Sequence, residues 1–202
     1  MTTTKTDPYL ALRNKEFRAF VLARLLITMA LTMQAVIIGY EIYELSNSKL
    51  LLGFIGLTEA IPAIGIALYG GYIADKSDKR TLLITSISLY TFMCFLLLLF
   101  TNSSSIQLLG NKDVIILIFG IIFFTGIARS FASPASYGLI AQVIPREEYQ
   151  SAITWSSAAW QSGAVLGPAL GGVFLGILGI THTFSIIVII LCIAIYLLFQ
   201  IG

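Results

Sequence analysis

The stretch "GGYIADKSDKR", Gly70 to Arg80, carries five charges in the six residues from Asp75 to Arg80. It is flanked on both sides by long apolar runs. The whole chain has 202 residues, of which 57% are hydrophobic and 11% are charged. Soluble domains run at about 25% charged, so composition places the chain in a bilayer. In that setting a charged cluster between two apolar runs is a turn at the membrane surface.

Working outward, the apolar runs divide into six candidate spans: 17–40, 50–74, 81–100, 114–134, 151–175 and 182–201. Each approaches the ~20 residues needed to cross the hydrocarbon core. Runs such as "SIIVIILCIAIYLLF" do not alternate, which excludes a barrel. A bilayer requires every backbone polar group to bond internally, so the spans are helices. The expected fold is an all-α integral membrane bundle of six transmembrane helices, residues 17–202, after a polar N-terminal segment, residues 1–16. The first apolar run is too long for a signal peptide and no small-residue cleavage site follows it.

Lys and Arg favour the cytoplasmic side. With the N-terminus inside, the inner segments hold Lys5, Arg13, Lys15, Arg18, Lys76, Lys79, Arg80 and Arg146, and the outer loops only Lys49 and Lys112. Both ends are therefore expected in the cytoplasm, with Asp75–Arg80 as a tight inner turn. Residues 101–113 form the longest outer loop. The stretch "SYGLIAQVIPREEYQ" after Pro134 reads as an amphipathic connector at the inner interface.

Several function classes drop out. A net charge of +2 gives no argument for nucleic acid. Cys94 and Cys192 lie in separate apolar runs and read as small buried groups, and His182 has no ligand partners nearby. No nucleophile–base pair, phosphate loop, metal spacing or nucleotide fingerprint is present. The sequence implies no enzyme, no metal and no cofactor.

In the inner turn, Gly71 lies one helical turn before Asp75, where a neighbouring helix can approach. Asp75 can face a helix N-terminus or a cation, while Lys76, Lys79 and Arg80 can exchange carboxylate partners. Anchoring by positive charge alone is the simpler alternative. In the fifth span, Gly163, Gly167 and Gly171 recur every four residues and make a smooth helical stripe. Pro168 removes the hydrogen bond to the Ala164 carbonyl and permits a bend. Gly172 follows directly.

These two motifs carry a resemblance. Gly71-x-x-x-Asp75-Lys76-x-x-Lys79-Arg80 resembles the loop signature between the second and third helices of the major facilitator superfamily, with Asp78 in place of the usual second glycine. Gly163-x-x-x-Gly167-Pro168-x-x-Gly171-Gly172 is similar to the fifth-helix signature of its proton-driven exporters. The resemblance covers all six spans, which look like the N-terminal half of a twelve-helix transporter, two three-helix repeats of inverted topology. It implies secondary active transport by alternating access: proton-coupled export of small amphipathic compounds from the cell membrane. Uptake of a sugar or other organic nutrient, or a non-transporting module that assembles with a partner, are the alternatives. The half-length chain is expected to need a C-terminal six-helix half or a second copy, and it stops abruptly as a fragment of a longer gene would.

Two ionisable residues fall deep in the spans. Glu59 lies nine residues into the second, roughly 13 Å from the outer surface. It is either a proton-coupling or cation-binding carboxyl, or a structural partner for an arginine. Arg129 lies roughly 22 Å into the fourth and resembles the superfamily's fourth-helix arginine, implicated in proton transfer. No acid lies in its own span, so its partner must come from another helix. Arg24, nearer the inner surface, is expected to snorkel, and Glu41 to be interfacial. Gln34, Trp160 and Gln161, with Thr154, Ser157 and Trp155, are candidate cavity lining.

Overall fold

The computed structural model describes residues 11–201. Lys5 and the other first ten residues of the expected polar segment lie outside the described residues. Every regular element among those described is helical. After a single 3-10 turn, Ala11–Arg13, come α1 (Lys15–Ser46), α2 (Lys49–Lys76), α3 (Lys79–Phe100), α4 (Ser103–Leu109), α5 (Asn111–Val143) and α6 (Tyr149–Phe199). Five helical segments, α1, α2, α3, α5 and α6 with the turn before it, are long and apolar enough to cross a membrane.

Local chemistry sets the ends. Asn14 caps α1 by accepting the Glu16 N–H at 2.9 Å, the role its short polar side chain fills best. At the far end Asn47 adopts a left-handed conformation, φ 51°, and Ser48 already caps α2. Asp78 caps α3 through the Thr81 N–H at 2.8 Å. The charged stretch is thus a turn of two residues, Ser77 and Asp78, between helices.

In lipid, helices gain little from hiding apolar surface and associate through close packing. Here α1 packs mainly on α6, α2 on α5, and α3 on both α5 and α6. Phe17, Phe20, Met33, Ile37, Leu97, Ile118, Phe184, Ile187 and Leu191 are fully enclosed between them. Both principal pairs run parallel. Gly163, Gly167 and Gly171 of α6 meet successively later residues of α1, from Leu25 to Met33, and Gly126 and Gly70 set α5 against α2 in the same sense. By contrast α2 buries only Pro62, Gly70 and Ala74.

Helix α6 spans 51 residues, roughly 76 Å if straight, more than twice the ~30 Å hydrocarbon core. It is not straight. Gly179 has φ 76° and ψ 176°, a region open essentially to glycine alone. It lines a cavity with Glu41, Leu45 and Thr101, at the C-terminal ends of α1 and α3. Twenty residues on, the Leu198 and Phe199 carbonyls accept hydrogen bonds from Arg80 at the start of α3. The chain therefore reverses at Gly179, and the expected loop before His182 contracts to that residue.

Three other expectations change. Helix α5 does not end near Pro134 but continues to Val143, so the expected interfacial connector shortens to residues 144–148. Pro134 removes one hydrogen bond, to the Ser130 carbonyl, and the backbone of α2 covers that oxygen at Gly70. The expected outer loop contains α4. The expected polar segment, residues 1–16, is helical from Lys15, with Ala11 buried.

Candidate functional site

Glu59 of α2 and Arg129 of α5 meet between the two helices. Arg129 Nη1 donates to Glu59 Oε1 at 2.6 Å. The Glu59 side chain keeps 27% of its exposure and that of Arg129 51%, so the pair is sheltered without being sealed. Gly126, one turn before Arg129, makes the meeting possible: a Cβ there would collide with the Glu59 carbonyl and lie 2.8 Å from Pro62 Cγ.

Both residues line one cleft, and Arg129 also lines a second. The first, about 650 Å³, lies between α2 and α5 and is lined by Glu59, Ala63, Ser130, Ser133 and Tyr137 as well as Arg129. The second, about 250 Å³, opens among α1, α3, α5 and α6, with Arg24, Thr32, Ser133, Ser136 and Trp160 on its walls. Arg129 and Ser133 line both. A guanidinium in that position can hold its carboxylate on one side and turn toward the other.

Arg24 does not snorkel. Its Nη1 donates to Ser136 Oγ at 3.2 Å, and its guanidinium carbon lies 5.0 Å from the centre of the Tyr137 ring. Its Nε is buried without a hydrogen-bond partner among the described residues. Among the expected lining residues, Trp160 is in the second cleft, whereas Gln161 is exposed and lines neither. Gln34 is not cavity lining: it is 4% exposed, and its Oε1 accepts from the Cys94 thiol at 2.6 Å. An amide inside a span needs a partner, and here the core supplies one.

The glycine stripe of α6 forms the seam with α1. Gly163, Gly167 and Gly171 are buried against it, and Thr32 Oγ1 donates to the Gly163 carbonyl at 3.2 Å. Gly172 faces open space. The helix runs through Pro168 with helical dihedrals, and its break falls at Gly179 instead.

In the turn between α2 and α3 the basic residues cap helices. Lys79 Nζ donates to the carbonyls of Ala74, Asp75 and Ser77 at the end of α2, favourable for a cation at a helix C-terminus. Arg80 does the same for α6 from a distance, at 2.7 Å to Phe199. Lys76 bonds to Tyr72 of its own helix. Asp75 is exposed, and its carboxylate has no partner among the described residues. Close helix approach falls to Gly70, not Gly71, around which space is open.

Gly126, Gly70 and Arg24 are the site-forming residues that the sequence reading undervalued. Gly126, Ser130 and Pro134 recur every four residues, and Gly56, Ala60, Ala63, Ala67 and Gly70 at alternating fours and threes. These are the small-residue spacings that bring helices together.

Comparison with known proteins agrees with this architecture. Over 121 residues the chain is 28% identical to the quinolone resistance protein NorA of Staphylococcus aureus, covering 60% of this chain and 28% of that protein. Over 102 residues it is 29% identical to the putative multidrug resistance protein MdtD of Escherichia coli and, equally, of Shigella boydii, covering 50% of this chain and 19% of theirs. The matched stretches thus span well under two thirds of these relatives. A family profile extends further, over residues 20–201, from the first turns of α1 to just past the end of α6. With its membrane-crossing helices and that match along nearly its whole length, the chain belongs to the Major Facilitator Superfamily.

Proposed function

We propose that the chain is the N-terminal half of a secondary transporter that exports small amphipathic compounds across the cell membrane in exchange for protons. The observation that carries this reading is the Glu59–Arg129 pair, whose carboxylate lines one cleft and whose guanidinium lines that cleft and a second. A carboxylate and a guanidinium deep in a span persist by pairing. A proton on Glu59 cancels the attraction, and Arg129 then turns to the second cleft, changing the charge offered to a substrate. Relatives named for quinolone and multidrug resistance support export over uptake.

In this reading the two arms of α6 on either side of Gly179 are the fifth and sixth crossings. The six crossings form two inverted three-helix repeats, with both ends in the cytoplasm. Exposed apolar side chains on α2, among them Ile61, Ile64 and Leu68, suit packing against a C-terminal six-helix half or a second copy. The α1–α6 seam at Gly163, Gly167, Pro168 and Gly171 is where the halves rock. Asp75, with Lys76, Lys79 and Arg80, faces the inner gate.

The test is Glu59→Gln in a membrane reconstitution of the complete transporter. Drug-driven proton release and efflux are expected to stop, while the amount of protein in the membrane stays unchanged. Proton release at the wild-type rate removes Glu59 from coupling.

A further inference from the structure

The second cleft holds an imbalance of charge. Arg24 lies nine residues into α1, roughly 13 Å along the helix, and ionised side chains within a membrane span pair with one another or face water. Arg129 has Glu59. Arg24 has no carboxylate: among the described residues its polar contacts are one serine hydroxyl and one tyrosine ring, and its Nε is buried with nothing to bond. No Asp or Glu among the described residues lines this cleft. Two guanidiniums and one carboxylate leave the site one positive charge in excess.

The other walls point to the rest of a ligand. Trp160, about half exposed, offers an aromatic face, and Ile27, Leu31 and Ile87 are apolar. Thr32, Ser133 and Ser136 supply hydroxyls near the cationic end. A planar carboxylate matches the fork of a guanidinium and takes two parallel hydrogen bonds from it, strong ones because both groups are charged. The cavity, at about 250 Å³, suits a small ring system rather than an extended chain.

We infer that the cleft between Arg24 and Trp160 is a subsite for amphipathic monoanions, with Arg24 binding a carboxylate and Trp160 stacking on the apolar body. The inference rests on the transport reading for its purpose and narrows the cargo from amphipathic compounds in general to those bearing one negative charge. Arg24 supplies the fixed charge for binding. Arg129, once released from Glu59, adds a second.

The experiment measures binding, not transport. The complete transporter is placed in nanodiscs of neutral lipid, and three probes of one shape are compared by equilibrium dialysis: 2-naphthoate, 2-naphthamide and 2-naphthylmethylamine. The carboxylate is expected to bind about tenfold more tightly than the amide, the amine more weakly than either, as a charge-assisted bond predicts. Arg24→Gln is expected to bring carboxylate and amide to within about twofold, and Arg24→Lys to keep part of the preference. Trp160→Ala is expected to weaken all three probes together. Equal binding of carboxylate and amide to the wild-type chain overturns the inference, whatever the variants do, and so does an Arg24→Gln protein that still discriminates. Carboxylate preference without transport by the complete protein leaves the subsite standing and refutes the transport reading; transport with no carboxylate preference does the reverse.

Discussion

Glu59 and Arg129, seventy positions apart in the chain, are joined at 2.6 Å because a glycine, Gly126, lets the α5 backbone rest on the Glu59 carbonyl. The pair is a product of helix packing as much as of charge. A side chain at position 126 would push α5 away from α2 and separate the two ionised groups.

The first prediction concerns this coupling. In a double-mutant cycle of Glu59→Gln, Arg129→Gln and the two combined, the double variant is expected to lose less stability than the sum of the singles. The interaction energy should be about 1 kcal/mol, as for half-sheltered pairs inside membrane bundles. Unfolding from micelles into a denaturing detergent, followed by helical circular dichroism, gives the three values. Strict additivity means that the two residues are neighbours without being partners.

The second concerns the seam. A methyl group at Gly167 would run into Thr32 Oγ1 and lie 2.6 Å from the Met29 carbonyl, whereas one at Gly172 would meet nothing within 4 Å. Gly167→Ala is therefore expected to destabilise the bundle by about 1–3 kcal/mol. Gly172→Ala should leave it unchanged or slightly firmer, since alanine is the better helix former. Thermal unfolding of the two variants side by side decides the matter, and a tolerated Gly167→Ala would place the seam elsewhere.

The third concerns acid stability at the turn between α2 and α3. Hydrogen bonds from the Thr81 hydroxyl and N–H hold the Asp78 carboxyl below its ordinary value of 3.8. A group whose folded value is depressed adds stability above the unfolded value and loses it as the pH falls through the folded one. The contribution of Asp78 is thus complete near neutrality and fades only below about pH 4. Asp78→Ala should cost about 0.5 kcal/mol at pH 7, the lower end for an exposed cap. Asp78→Asn should keep most of the cap while flattening its acid dependence. Melting curves from pH 7 to pH 3 test this; identical acid slopes for the wild-type and Asp78→Asn proteins contradict it.

Much of the fold was legible because a bilayer simplifies the problem. Apolar length locates crossings, and the turn from Lys76 to Lys79 is marked by its charges and its capping residue. The four-residue rhythm of Gly163, Gly167 and Gly171 likewise gave the α6 face that packs on α1. The site was less legible. Pro134 reads as a stop, yet in lipid the helix continues past it because no water competes for the remaining backbone groups. Gln34 reads as cavity lining because sequence does not reveal that Cys94 waits opposite. Arg24 reads as an anchor because snorkelling depends on whether the helix faces lipid or protein, which only the packing of α1 on α5 and α6 decides. That Glu59 is the acid Arg129 lacked in its own span follows from register between α2 and α5, which no local pattern encodes.

The parallel seam between α1 and α6 also bears on biosynthesis. Thr32 and Gly163, which bond across it, are separated by 131 positions. At about 5–20 residues per second, the ribosome needs roughly 7–26 s after adding Thr32 before it reaches Gly163. During that interval the face of the first helix that packs on α6 stands without its partner.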